Sequence, residues 1–154
     1  KKTDEYSETG EENPNYSYLT WERLKEMSDS GYVEIQSHSY DMHQIDGEIK
    51  GISQIYAEDK TSYYKRAGKD ISLSREKIYE NLGKYPTAFA FPFGAKGSYA
   101  DNLIKDLGFS ASLISAEKVS TISRDKDSLY NLGRFVRPAN ISSKSFFEDV
   151  MKLK

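Results

Sequence analysis

Ile35-Gln36-Ser37-His38-Ser39-Tyr40-Asp41-Met42-His43 carries the end of a short predicted strand, Tyr32 to Gln36, into a polar loop, and it holds both histidines of the chain. In a parallel α/β sheet the loops leaving the C-terminal ends of strands form the functional face, so a ligand pair placed there points into the usual site region. On a helix, a five-residue spacing would set the two rings about 140° apart around the axis, whereas a strand-to-loop turn folds them together. Two neutral imidazoles suit a zinc-like divalent ion, and a catalytic site of that kind adds a carboxylate and keeps a position open for water. Asp41 is the only carboxylate between the histidines. A pair of surface or loop-capping histidines that merely lie close together is the plainer alternative at this point.

Outward from that loop, helices and strands alternate. Thr20 is placed to cap a helix with Trp21, Leu24 and Met27 facing inward, stopped near Ser30-Gly31. Gln44 to Asp59 has no clean period and reads as an irregular loop. Thr61 to Leu82 reads as a long helix with Ile71, Ile78 and Leu82 on one face and Gly83 taking the left-handed residue after its end. Ala88 to Phe91 is a short apolar strand broken by Pro92-Phe93-Gly94. Ser98 and Asp101 form a capping pair for a helix through Leu103, Ile104 and Leu107, ended by Gly108. Ser110 to Ile114 and Leu132 to Val136 read as further strands. A last helix from Ser142 or Ser143 is expected to bury Phe146, Phe147, Val150 and Met151. This order predicts an α/β fold with a mostly parallel sheet covered by helices, either open or part of a barrel.

Composition narrows the function. The 154 residues suit one domain with a modest core, 37% of the chain being apolar. Lys1 to Tyr18 lacks apolar periodicity and reads as a flexible arm or loop, which leaves 19–154 as the domain. A formal charge of -2 with no basic stripe gives no attraction to phosphate backbones, so nucleic acid is not an expected partner. With no cysteine, disulfides, thiolate nucleophiles and Cys-type zinc sites are all excluded, and His and carboxylate side chains remain as the strong metal ligands. No apolar stretch approaches the roughly 20 residues of a membrane span. The chain opens on Lys1-Lys2 without an initiator Met or a signal-peptide core, from which an upstream portion is expected.

A second motif is Phe89-Ala90-Phe91-Pro92-Phe93-Gly94. Pro92 fixes its own backbone and Gly94 permits unusual dihedrals, so the turn can present the N–H of Phe93 rigidly toward a cavity, as an oxyanion hole requires. An ordinary turn flanked by aromatic core residues is the alternative.

Taken in order, the histidine motif, Phe89 to Gly94 and Leu132-Gly133-Arg134-Phe135 resemble the later motifs of the NodB-homology polysaccharide deacetylases, carbohydrate esterase family four. The second histidine five residues after the first looks closest to the branch of the biofilm poly-N-acetylglucosamine deacetylases. The resemblance covers Leu19 to the C-terminus. It implies a distorted (β/α) barrel holding a divalent metal, zinc in kind, by one Asp and two His, with a second Asp activating water to hydrolyse an N-acetyl amide or O-acetyl ester. Carried over, His38 and His43 would be the histidine ligands, and the backbone of Phe93 the donor to the acetyl oxygen. Phe91, Pro92, Gly94 and Arg134 would border the substrate, and Ser39 would brace the loop.

The substrate so implied is an N-acetylated polysaccharide at the cell envelope or outside the cell. Two departures stand out. Ala90 occupies a position where many members carry Arg, and no Asp-Asp pair occurs anywhere in the sequence. The chain is therefore expected to be the C-terminal part of such a domain, a partial barrel lacking its N-terminal strands and inactive alone unless a partner segment or chain completes the sheet. A catalytically inactive glycan-binding or interaction module on the same fold is the alternative function.

Overall fold

Thr20 Oγ1 accepts the N–H of Arg23 at 3.3 Å and opens α1, Trp21–Asp29, whose residues Trp21, Leu24 and Met27 are half-buried as their spacing predicts. The computed structural model describes residues 19–47 and 49–153; the arm expected at Lys1 to Tyr18 lies outside the described residues. After α1 the chain runs extended to Ser37. Instead of the continuous strand expected over Tyr32 to Gln36, it makes a single parallel bridge, Ser37 to Phe89. The region expected to be an irregular loop contains a small antiparallel hairpin, β1 (Ile45–Asp46) and β2 (Ile49–Lys50).

The long helix forms in three parts. Asp59 caps α2, Lys60–Tyr63, by accepting the Ser62 N–H at 2.7 Å; the helix widens into a π turn, Tyr64–Gly68, and continues as α3, Lys69–Leu82. Gly83 ends it at φ 72° in the left-handed conformation. Gly68 lies in the π turn, where a Cβ would come within 3.3 Å of Leu103 Cδ1, so close approach to the next helix accounts for a glycine at that point.

Two short strands, β3 (Ala88–Ala90) and β4 (Ala111–Leu113), pair in parallel. Bridges extend the array on both sides, from Ser37 to Phe89 and from Leu113 to Leu132, in the spatial order Ser37, β3, β4, Leu132. The last expected strand, Leu132 to Val136, therefore shrinks to one bridge. On the opposite flank the main chain of Ser37 hydrogen-bonds toward β3, through Ser37 N–H to Ala88 O at 3.2 Å and Ala90 N–H to Ser37 O at 3.0 Å. Among the described residues no strand covers its other side.

Between β3 and β4 lies α4, Ala100–Asp106. The expected capping pair is not formed: Ser98 Oγ donates to Gln54 Oε1 at 2.7 Å and Asp101 pairs with Lys96 at 2.7 Å, so both side chains serve tertiary contacts. The final turn, α5 (Ser143–Ser145), is capped by Ser142 and passes into a π turn, Phe146–Val150. It buries Phe146, but Phe147, expected to be inward, is 48% exposed because the widened turn rotates it away.

The core gathers Ile71 of α3, Leu103 and Ile104 of α4, and Phe89, Phe91 and Phe109 around the sheet. Phe89 meets Phe91 edge-on at 5.3 Å and Phe109 at 5.6 Å. Tyr63 is also fully buried; its hydroxyl donates to Ile52 O at 2.8 Å, and burial pushes its pKa up to about 12, so it remains a neutral strut between helix and loop. Phe89→Ala is expected to cost about 3–5 kcal/mol in urea unfolding, since it empties the centre of the aromatic cluster. Phe147→Ala at its exposed position is expected to cost under about 1 kcal/mol.

Candidate active site

The histidine loop begins where Ser37 leaves the sheet. Ser39 then takes φ 76°, a left-handed conformation for a non-glycine residue, and its Oγ accepts the Met42 N–H at 3.2 Å, closing a tight turn. The turn brings His38 and His43 together, with ring centroids 4.9 Å apart. His38 Nδ1 lies 2.6 Å from the carbonyl oxygen of Ala90 in β3. A carbonyl only accepts, so this contact places the proton on Nδ1 and leaves the Nε2 lone pair free for a ligand. The His38 pKa is lowered, first by desolvation and further by the neighbouring His43 and Arg134, while the Ala90 bond opposes the shift. A depressed pKa keeps the ring in the neutral form that metal binding needs.

The Pro-Phe-Gly turn closes the site from the next strand. Gly94 N–H returns to Phe91 O at 2.9 Å, Pro92 precedes Phe93, and Phe93 sits at φ 56°, ψ 7°, the values of the third residue of a type II turn. Gly94 was the residue expected to take the unusual dihedrals; Phe93 and Gly94 both do, at φ 56° and 68°. Ser115 Oγ donates to Phe93 O at 3.0 Å and holds the turn. Among the described residues no acceptor faces the Phe93 N–H. The Phe93 ring stacks on His43, centroids 4.2 Å apart, and Lys50 Nζ lies 5.0 Å from the centre of the same ring. Residues from two sheet segments and the β1–β2 hairpin thus meet at one rim.

The structure redistributes other expected roles. Phe91 is wholly buried and Pro92 nearly so; they belong to the core and to the shape of the turn, and neither side chain is open to a substrate. Gly94 is required for packing, since a Cβ there would lie 2.0 Å from Ser115 Oγ. Arg134 is half-buried, and its Nε donates to Ile114 O at 2.9 Å, so it contributes positive charge near His38 from a fixed position. Asp41, the carboxylate between the histidines, accepts from Gln44 Nε2 at 2.8 Å. Among the described residues no set of three His, Cys, Asp or Glu side chains is placed to hold a metal. Two imidazole donors, one with its tautomer set by a main-chain bond, fit part of a divalent-ion site that has no acidic third ligand among the described residues.

Two positions with no local signature also shape the site. Asp70 of α3 accepts the Tyr40 N–H at 2.9 Å and the Asp41 N–H at 2.8 Å, and Ser74 of α3 shares a 2.8 Å hydrogen bond with Ser37. Each lies at least 29 residues from the loop it touches, so no spacing pattern in the sequence points to either.

The polysaccharide deacetylase family profile matches residues 3–112, more than half of the chain, and the protein belongs to that family. Among curated proteins, the poly-beta-1,6-N-acetyl-D-glucosamine N-deacetylase of Staphylococcus epidermidis is 26% identical over 138 residues, covering 90% of this chain and 43% of that protein. Among solved structures, the de-N-acetylase from Aggregatibacter actinomycetemcomitans superposes with a TM-score of 0.70 at 23% identity, covering 92% of this chain and 56% of the other. IcaB from Ammonifex degensii gives 0.64 at 24% identity, with 89% and 54% covered. The structural likeness is one of fold, and the chain spans about half the length of these relatives.

Gly94→Ala is expected to destabilise the protein by at least about 1 kcal/mol, because the new methyl meets both a positive φ and Ser115. Adding Ser115→Gly should recover the steric part only, a non-additivity that thermal melts of the two single variants and the double variant would measure.

Proposed function

We propose that the protein is part of a metal-dependent deacetylase that removes N-acetyl, or O-acetyl, groups from a polysaccharide of the cell envelope or extracellular space. The observation that carries the reading is the convergence, at the C-terminal rim of a parallel sheet, of His38, His43 and the Phe93 N–H, which has no acceptor among the described residues. His38 and His43 would hold a divalent ion, zinc in kind, through Nε2 of His38 and one ring nitrogen of His43. Such an ion supplies Lewis acidity, polarising an acetyl carbonyl and lowering the pKa of water.

The chain's own contribution is orientation. Ala90 O sets the His38 tautomer, Ser39 shapes the turn between the ligands, and the Phe93 ring steadies His43. The Phe93 N–H, held by Pro92 on one side and Ser115 on the other, is a fixed donor for the negative charge that develops on the acetyl oxygen. Arg134 adds positive potential on the same side.

The acidic ligand and general base would come from a segment beyond the described residues. The uncovered flank of Ser37 is where an added strand would pair, beside an apolar recess lined by Trp21, Leu24, Ile35 and Ile78. The aspartates of such a strand would arrive next to His38. The lack of an acidic third ligand among the described residues also favours a second reading, a glycan-binding module without catalysis.

Metal content and acetate release from N-acetylglucosamine oligomers separate the two in the intact protein. About one bound zinc per chain with acetate release is expected; glycan binding without acetate release after metal is restored would favour the module. His38→Ala and His43→Ala are each expected to abolish metal retention with a thermal midpoint close to that of the metal-free wild type, and strong unfolding at unchanged metal content would mark the histidines as structural. At Phe93, φ 56° forbids a proline probe, so the donor is tested by replacing the amide before it with an ester. That change is expected to lower turnover by about 10²–10³-fold. Phe93→Gly, which keeps both N–H and turn, should be milder.

A further inference from the structure

The long helix grips the histidine loop at two points that bracket His38. Ser74 shares its buried hydrogen bond with Ser37, one residue before His38, and Asp70 takes the main-chain N–H groups of Tyr40 and Asp41, two and three residues after it. Asp70 and Ser74 are four residues apart, hence one above the other on one helix face.

Asp70 has no comparable task in its own helix. The helical run begins at Lys60 under the cap of Asp59, and by Asp70 the chain is already inside it, so the carboxylate is not needed for terminal N–H groups. The loop, by contrast, needs an acceptor. With Ser39 at φ 76° the chain reverses, and the next two N–H groups, those of Tyr40 and Asp41, each donate to one oxygen of Asp70. An ionised carboxylate accepting two adjacent N–H groups is a strong, geometrically defined clamp, set midway between the proposed ligands.

We infer that Asp70 is a positioning residue for the metal site, with Ser74 as its accessory: it fixes the reversal between His38 and His43 and so sets the angle at which their rings meet. This rests on the reading of the two histidines as ligands. Outer groups that orient metal ligands typically change metal affinity by about 10–100-fold when removed.

The test compares Asp70→Ala and Asp70→Asn with the wild type in the intact protein. Asn keeps the size of Asp, but its NH₂ must face one of the two N–H donors, so the clamp is half lost without a cavity. Zinc affinity by competition with a chromophoric chelator should fall about 10–100-fold in both, with the visible bands of the cobalt-substituted protein shifted and the thermal midpoint of Asp70→Asn close to wild type. Wild-type zinc affinity and cobalt bands in both variants would overturn the proposal, as would affinity loss that appears only in step with unfolding. Amide exchange in the metal-free protein keeps the two hypotheses apart. If the wild type binds no zinc, the ligand reading fails, whereas the clamp is contradicted by unchanged exchange at Tyr40 and Asp41 in Asp70→Ala.

Discussion

His38 Nδ1 stands 2.6 Å from Ala90 O, and much of the site follows from that contact. It joins the loop after one sheet segment to the strand beside it, across 52 residues of sequence. The same bond selects the tautomer, points Nε2 away from the sheet, and keeps His38 beside the turn that carries Phe93. Because Ala90 is the last residue of β3, its carbonyl lies at the rim, where a ring from the adjacent loop can reach it. The hydrogen bonds between Ser37 and β3 hold the two segments in the register that makes this possible.

Around that bond the backbone accepts strain at two non-glycine positions, Ser39 and Phe93, both at positive φ. Such conformations cost of order 1–3 kcal/mol each and persist where surrounding contacts over-determine them. Ser39 is held by its own hydroxyl and by Asp70; Phe93 is held by Pro92, by Ser115 and by stacking on His43. The strained residues are also those nearest the proposed chemistry. The rigid parts of the fold, α3, α4 and the aromatic cluster of Phe89, Phe91 and Phe109, supply the packing against which that strain is maintained.

Charges of both signs surround the histidines. Lys50 and Arg134 approach the histidines and Phe93, while Asp41 is engaged by Gln44. Asp70 directs both carboxylate oxygens to the Tyr40 and Asp41 N–H groups, so its charge is engaged by the loop main chain. Under the proposed function, an acidic ligand arriving beside Ser37, whose far side no strand covers among the described residues, would add the negative charge that a divalent ion requires.

The sequence alone located the histidine pair just after an extended segment, the Pro-Phe-Gly turn, the cap at Thr20, a last helix beginning near Ser142 or Ser143, the stop at Gly83 and the alternation of helices with parallel strands. These are local matters, decided by residues within a few positions of one another: side-chain oxygens meeting nearby N–H groups, glycine's freedom of φ, and the period of apolar residues. Only the tertiary structure decided that Phe91 is core while Phe93 stacks on His43, that Ser98 and Asp101 turn to partners outside their helix, and that Phe147 turns outward. The same holds for Asp70 and Ser74, which meet the histidine loop from tens of residues away. Which carbonyl lies beside a ring, and which carboxylate meets a turn, depends on how strands register and helices pack, and no periodicity along the chain encodes that.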